Sequence, residues 1–112
     1  ILAAGCAVGL DDNGNAQHFY AGRIDHFIGF LSGQGEKRAA VKTRGSIVLE
    51  IKGVTTADRG KPVYCVGPNE FTLKKTAGAA EIGAVRYSQG NSRAAVAFRR
   101  YDSDKPLNLR LD

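Results

Sequence analysis

The sequence predicts an all-β domain, a single antiparallel β-sandwich of jelly-roll-like type ending in an extended C-terminal tail. Three observations carry that expectation. Short apolar runs recur at roughly 8–12-residue spacing between clusters of Gly, Asn, Asp and Pro, the pattern of a sandwich or barrel. Ile47, Leu49 and Ile51 alternate with Val48, Glu50 and Lys52, so they share one face of a strand. No segment sustains a helical period, and 14 glycines against three prolines suit many tight turns.

Taken in order, Cys6–Leu10 is a short apolar strand closed by Asp11-Asp12-Asn13-Gly14-Asn15, in which Asn13-Gly14 is a strong hairpin-turn pair. Gln17–Arg23 and Phe27–Leu31 read as strands split around Asp25-His26, followed by a polar loop at Ser32–Glu36. Arg38–Thr43 alternates basic with small or apolar residues, and Ser46–Lys52 is the clearest strand. Between Gly53 and Gly60 the connection has room for one helical turn capped by Thr55 or Thr56. A hairpin follows. Gly60 ends the connection, Pro62 opens the strand Pro62–Val66 that includes Tyr64, Gly67-Pro68-Asn69 reverses it, and Glu70–Lys74 returns. Thr76–Ala80 is a small-residue loop, and Ile82–Tyr87 and Arg93–Arg99 form a second hairpin-like pair around Ser88–Ser92. That makes roughly eight strands, with no internal repeat.

Residues 1–101 are expected to form the body and 102–112 an extended arm. Pro106 breaks the preceding strand, and Leu107, Leu109 and Leu111 alternate with Asn108 and Arg110. Such a segment either finishes its own sheet or adds as a strand to a neighbouring chain. A length of 112 residues gives one domain, with enough buried surface to fold without metal or disulfide support. Cys6 and Cys65 lie in apolar surroundings and read as small buried hydrophobes. The chain has no Met, so residues are expected to precede Ile1 in the translated protein. No apolar run reaches the ~18 residues of a membrane span.

Sixteen Lys and Arg against 11 acidic residues give a net charge of +5, which favours acidic partners without choosing among them. Arg99 and Arg100 are candidate partner contacts, together with Leu107, Leu109, Arg110 and Leu111. Phe98 and Tyr101 interleave with arginines as in single-strand nucleic-acid platforms. Strand alternation, however, buries Phe98 with Ala94 and Val96 and turns Arg93 and Arg99 outward. His18, His26 and Asp25 have no zinc-like spacing, and Asp102 and Asp104 lack the rest of a calcium loop. There is no nucleophile elbow and no phosphate-cradling glycine motif, so neither catalysis nor a cofactor is expected. Asp11-Asp12 serves its own turn.

Four segments appear in an order that resembles a known family. They are Thr43-Arg44-Gly45 before the strand Ile47–Ile51, Ala57-Asp58-Arg59-Gly60-Lys61-Pro62-Val63-Tyr64, Phe71-Thr72-Leu73, and Ile82-Gly83-Ala84-Val85. The run is similar to the small decoration (cement) proteins of tailed-bacteriophage heads, over roughly residues 22–98. The resemblance implies a non-enzymatic β-rich virion protein, made in the bacterial host cytoplasm and bound to the outer surface of the capsid. There it bridges neighbouring major capsid proteins against the pressure of packaged DNA. It further implies self-association as a dimer or trimer, with no cofactor, no metal, no direct contact with nucleic acid and no membrane. A small β-barrel that binds nucleic acid is the alternative, and a carbohydrate-binding attachment module ranks below it because Trp is absent.

Overall fold

The computed structural model describes residues 2, 5–22, 26–101 and 105–111. Ten strands are present: β1 Ala7–Leu10, β2 Ala16–His18, β3 Phe27–Gln34, β4 Arg38–Lys42, β5 Arg44–Glu50, β6 Pro62–Gly67, β7 Glu70–Thr72, β8 Ala80–Gly90, β9 Arg93–Arg99 and β10 Leu107–Arg110. They make two five-stranded antiparallel sheets, ordered β10-β4-β3-β1-β2 and β5-β9-β8-β6-β7, that pack together as an all-β sandwich. The only helical element among the described residues given a range is the 3₁₀ turn Thr56–Asp58. Its carboxylate at Asp58 accepts from the Thr55 N–H at 2.8 Å, which caps the turn where the Thr55-Thr56 pair predicts it.

The strand order differs from a jelly roll and repeats within the chain, where the sequence predicts no internal repeat. Strands β1–β5 and β6–β10 are two copies of one unit. In the first copy Ala7 pairs with Phe30 and Val8 with Gly29, then the register slips. In the second, Pro62 pairs with Ala84 and Val63 with Gly83, and the register slips at the same place. The next hairpin repeats the agreement: Leu31↔Val41 then Gly33↔Ala40 in one copy, Val85↔Val96 then Tyr87↔Ala95 in the other, each around a one-residue bulge. Arg38-Ala39-Ala40-Val41 and Arg93-Ala94-Ala95-Val96 occupy the same positions of the two copies.

The fifth strands are exchanged. Only Thr43 separates β4 from β5, so the chain runs straight from one sheet into the other, where β5 pairs with β9. After β9 the chain crosses back, and β10 pairs with β4. Ile47↔Val96 and Leu49↔Ala94 on one side match Leu107↔Val41 and Leu109↔Ala39 on the other. Residues 107–110 therefore do not form an arm beyond the body. They are an edge strand of it, and the alternative of a strand that completes its own sheet is the one found. The segment 102–104, which contains Asp102 and Asp104, lies outside the described residues, as does Asp25.

Each sheet curls until its outer strands touch, through the bridges Ala16↔Leu111 and Ile51↔Phe71. Each consequently encloses its own cluster: Val8, Ile28, Leu31 and Val41 in one, and the equivalent Val63, Ile82, Val85 and Val96 in the other. Phe30 joins the two sheets. It reaches from β3 to Phe98 at 4.8 Å between ring centres and to Phe71 at 6.0 Å, while Phe27 meets it from its own strand at 5.8 Å. The pairs with Phe27 and Phe98 are edge-to-face and that with Phe71 is tilted at 42°. Aromatic pairs of this kind add roughly 0.5–1.5 kcal/mol each to the area they bury.

Candidate functional site

Three of the four segments that carry the resemblance are brought to one groove by the fold, and Phe71-Thr72-Leu73 lies apart from it. Arg44-Gly45-Ser46 at the start of β5, Gly60 and Pro62 before β6, Ile82-Gly83-Ala84 on β8 and Ala97–Arg99 on β9 line one open groove of roughly 730 Å³. Local backbone chemistry explains each position. Gly60 has φ of +87° and donates its N–H to the Val85 carbonyl at 2.8 Å, so the connection turns sharply onto β8. Pro62 is the exposed first residue of β6, where a missing N–H costs nothing. Gly83 brings the backbone of β8 against Ala97 so closely that a β-carbon would fall 1.8 Å from the Ala97 carbonyl oxygen. Gly29 does the same in the first copy, at 2.1 Å from the Lys42 oxygen. The groove floor is thus main chain and small side chains. Arg44 and Arg99, register partners across β5 and β9, stand at its end.

The hairpin residues singled out from sequence are scaffold. Tyr64 is buried and borders a smaller cleft of roughly 310 Å³ with Phe27, Lys75 and Arg100. Gly67 is buried and its carbonyl accepts the Cys65 thiol proton at 3.0 Å. Burial pushes the Cys65 pKa up to about 12, so the thiol stays protonated. The Pro68 carbonyl accepts the Ala7 N–H at 2.9 Å and so ties the second sheet to the first.

The predicted partner contacts divide. Leu109 and Leu111 pack onto the cluster inside their own sheet, which accounts for the alternation of this strand without a neighbour; Leu107 is half-buried beside Val41. Arg110 is exposed opposite Arg38. Arg100 is committed within the fold: its main-chain N–H donates to Thr43 at 2.7 Å and its Nε to the Phe27 carbonyl at 3.1 Å. Its guanidinium lies 5.6 Å from the Tyr101 ring centre. Arg99 is exposed, and Phe98 is buried as the alternation of β9 requires.

The titratable candidates are dispersed. His26 Nδ1 lies 2.8 Å from the Leu10 carbonyl oxygen, and His18 stacks edge-on with Tyr20 at 6.3 Å. Asp11 accepts from the N–H groups of Asn13 and Asn15, both at 2.9 Å, closing its own turn as its sequence setting predicts. Among the described residues no three His, Cys, Asp or Glu side chains converge as a metal site would require. The residues missed from sequence are Val48, Arg86 and Tyr87, which lie together on the outer face of β5, β9 and β8. Their counterparts in the other copy, Asn108, Ser32 and Gly33, are found only through the strand registers, because the spacing between equivalent strands differs between the copies. No protein-family model, curated protein or solved structure matches the chain.

Proposed function

We propose that this protein is a structural, non-enzymatic decoration protein of a tailed-phage head, bound to the outside of the capsid shell and bridging neighbouring major capsid proteins. The reading rests on the resemblance, and one observation supports it beyond sequence order. Three of the four segments that carry the likeness, all but Phe71-Thr72-Leu73, meet around a single groove, where Gly60 turns, Pro62 starts a strand and Gly83 permits close approach. Residues kept for such reasons describe a shared scaffold rather than a shared chemistry.

A cement protein needs a rigid body with adhesive surfaces, and many modest contacts per shell hold the layer in place. The exchanged fifth strands serve rigidity, since neither sheet is complete without a strand from the other copy. Co-sedimentation with capsids stripped of the protein, with free DNA as competitor, tests the reading. Saturable binding at a fixed copy number per shell, unaffected by DNA, is expected. Binding to DNA alone, with a steep salt dependence of about one unit of slope per phosphate contact, would replace it with the nucleic-acid alternative, which the exposed Arg100–Tyr101 pair favours.

A further inference from the structure

The duplication makes each half of the molecule a control for the other. Several positions inside the two sheets hold the same kinds of residue, because both copies solve a similar packing problem: Ala39 and Ala94, Val41 and Val96, Leu109 and Leu49, Leu111 and Ile51. Outward positions carry no such constraint, so a difference there reflects what each face meets.

On the outer face of the second sheet, Val48, Ala95 and Tyr87 form one cross-strand row over β5, β9 and β8. Val48 is 44% exposed and Tyr87 52%, while Ala95 between them is almost fully covered. The Arg86 guanidinium reaches across β9 to donate to the Ser46 hydroxyl at 2.7 Å, and Arg93 stands in the next row, opposite Glu50. The matching row of the first sheet is Asn108, Ala40 and Gly33, and the position of Arg86 is held by Ser32, whose hydroxyl turns back onto the Ala40 carbonyl. At these positions a valine, a tyrosine and Arg86 on one face stand against Asn108, Gly33 and Ser32 on the equivalent face. The next row carries arginine on both, Arg93 on one and Arg38 beside Arg110 on the other.

We infer that the Val48–Ala95–Tyr87 row, flanked by Arg86 and Arg93, is the surface with which this protein docks onto an acidic protein partner. The inference deepens the proposed function, on which it rests for the identity of that partner as the capsid shell. An apolar, aromatic centre with an arginine rim is the composition of a protein interface, in which Tyr and Arg supply anchors and polar groups the margin. Charge decides the occupant. The chain carries +5, and Arg44 and Arg99 extend the basic rim beyond Ser46; Glu50 is the acidic residue among these rows, and Glu81 shares the groove of Arg44 and Arg99. A second copy would set like charge against like, whereas a carboxylate-bearing surface meets complementary potential. A single exposed aromatic ring on this face offers no succession of stacking platforms for bases.

The test places small polar side chains on the second face, taken from the first copy at two of the three positions. Val48→Asn with Tyr87→Ser, and separately Arg86→Ser, are compared with Asn108→Ala on the other face, all with thermal melting to verify folding. Binding of each to stripped shells is expected to weaken roughly tenfold or more in the first two variants and to stay at wild-type strength in Asn108→Ala. Wild-type affinity in the first two, or an equal loss in Asn108→Ala, overturns the assignment while leaving the cement reading intact. If the wild-type protein ignores shells altogether, that reading falls, and amide chemical shifts on adding poly-L-glutamate or single-stranded DNA decide this one. Shifts confined to β5, β8 and β9 with polyglutamate sustain it. A preference of that face for DNA, or its use in self-association, overturns it.

Discussion

Gly83→Ala probes the closest contact in the fold. A methyl group at this position lies 1.8 Å from the Ala97 carbonyl oxygen, 2.8 Å from its carbon and 3.0 Å from the Phe98 α-carbon. Ordinary carbon–oxygen contact is about 3.3–3.6 Å, so β9 must retreat by roughly 1.5 Å. Every obstacle is main chain, and no rotamer change relieves the clash. A retreat of that size carries N–H···O bonds of ~2.9 Å beyond useful range. Two or three ladder bonds at about 1 kcal/mol each give a loss of about 2–3 kcal/mol. For a domain of this length that corresponds to a fall in Tm of roughly 10 °C, read by calorimetry or circular dichroism. Gly33→Ala is the control. It lies in a strand too, nothing stands within 4 Å of the added carbon, and its effect should run from neutral to about 1 kcal/mol stabilising. A Gly83→Ala protein that melts within about 2 °C of wild type would refute the close-approach argument.

Three further outcomes are expected. Thr43→Val should raise stability by about 1 kcal/mol in urea titrations, because Thr43 is 1% exposed and its hydroxyl has no hydrogen-bond partner among the described residues; a loss of stability would reveal a partner for that hydroxyl. Both thiols should resist a disulfide reagent at pH 8 in the native state and react in denaturant, since Cys6 and Cys65 are buried and the Cys65 pKa is about 12. Above pH ~9 the unfolded Cys65 thiol ionises while the folded one does not, so this group's contribution to stability declines as pH rises; rapid native-state labelling would contradict its burial. Asp58, held below its ordinary value near 3.8 by the Lys61 ammonium at 2.8 Å and the Thr55 N–H, contributes stability above that value and loses it as pH falls through the lower folded one. Asp58→Asn should therefore narrow the difference between urea midpoints at pH 6 and pH 3, and an unchanged difference would show that the pair does not couple to folding.

Much of the secondary structure was legible because it depends on neighbours in sequence. Arg93–Arg99 falls where its alternation predicts it. The Pro62 hairpin turns at Pro68-Asn69, between strands of slightly different length from those expected. Ser32–Gln34 reads as loop from its polar composition, yet it continues β3 because it pairs with β4 across a bulge. Gln17–Arg23 reads as one strand, and the ladder of β2 stops at His18. Phe19 instead folds inward against Phe27 at 5.6 Å. In both cases pairing and packing outweighed local propensity.

Arg-Ala-Ala-Val occurs twice in the sequence, but most of the other equivalent positions differ in residue type. Ala84 stands where the first copy has Phe30, and Thr43 where the second has Phe98. The sequence by itself determined an all-β chain, most of its turns and the inward side of Ser46–Lys52 and Arg93–Arg99, since these follow from periods of two and from Gly, Pro and Asn chemistry. Only the tertiary structure decided which sheet each fifth strand joins. Ile47–Ile51 and Leu107–Leu111 carry the same alternating pattern and fit either sheet's edge. The choice came from geometry: Thr43 alone leaves no length for β5 to double back onto β4, so it runs on into the other sheet and β10 takes the vacant edge.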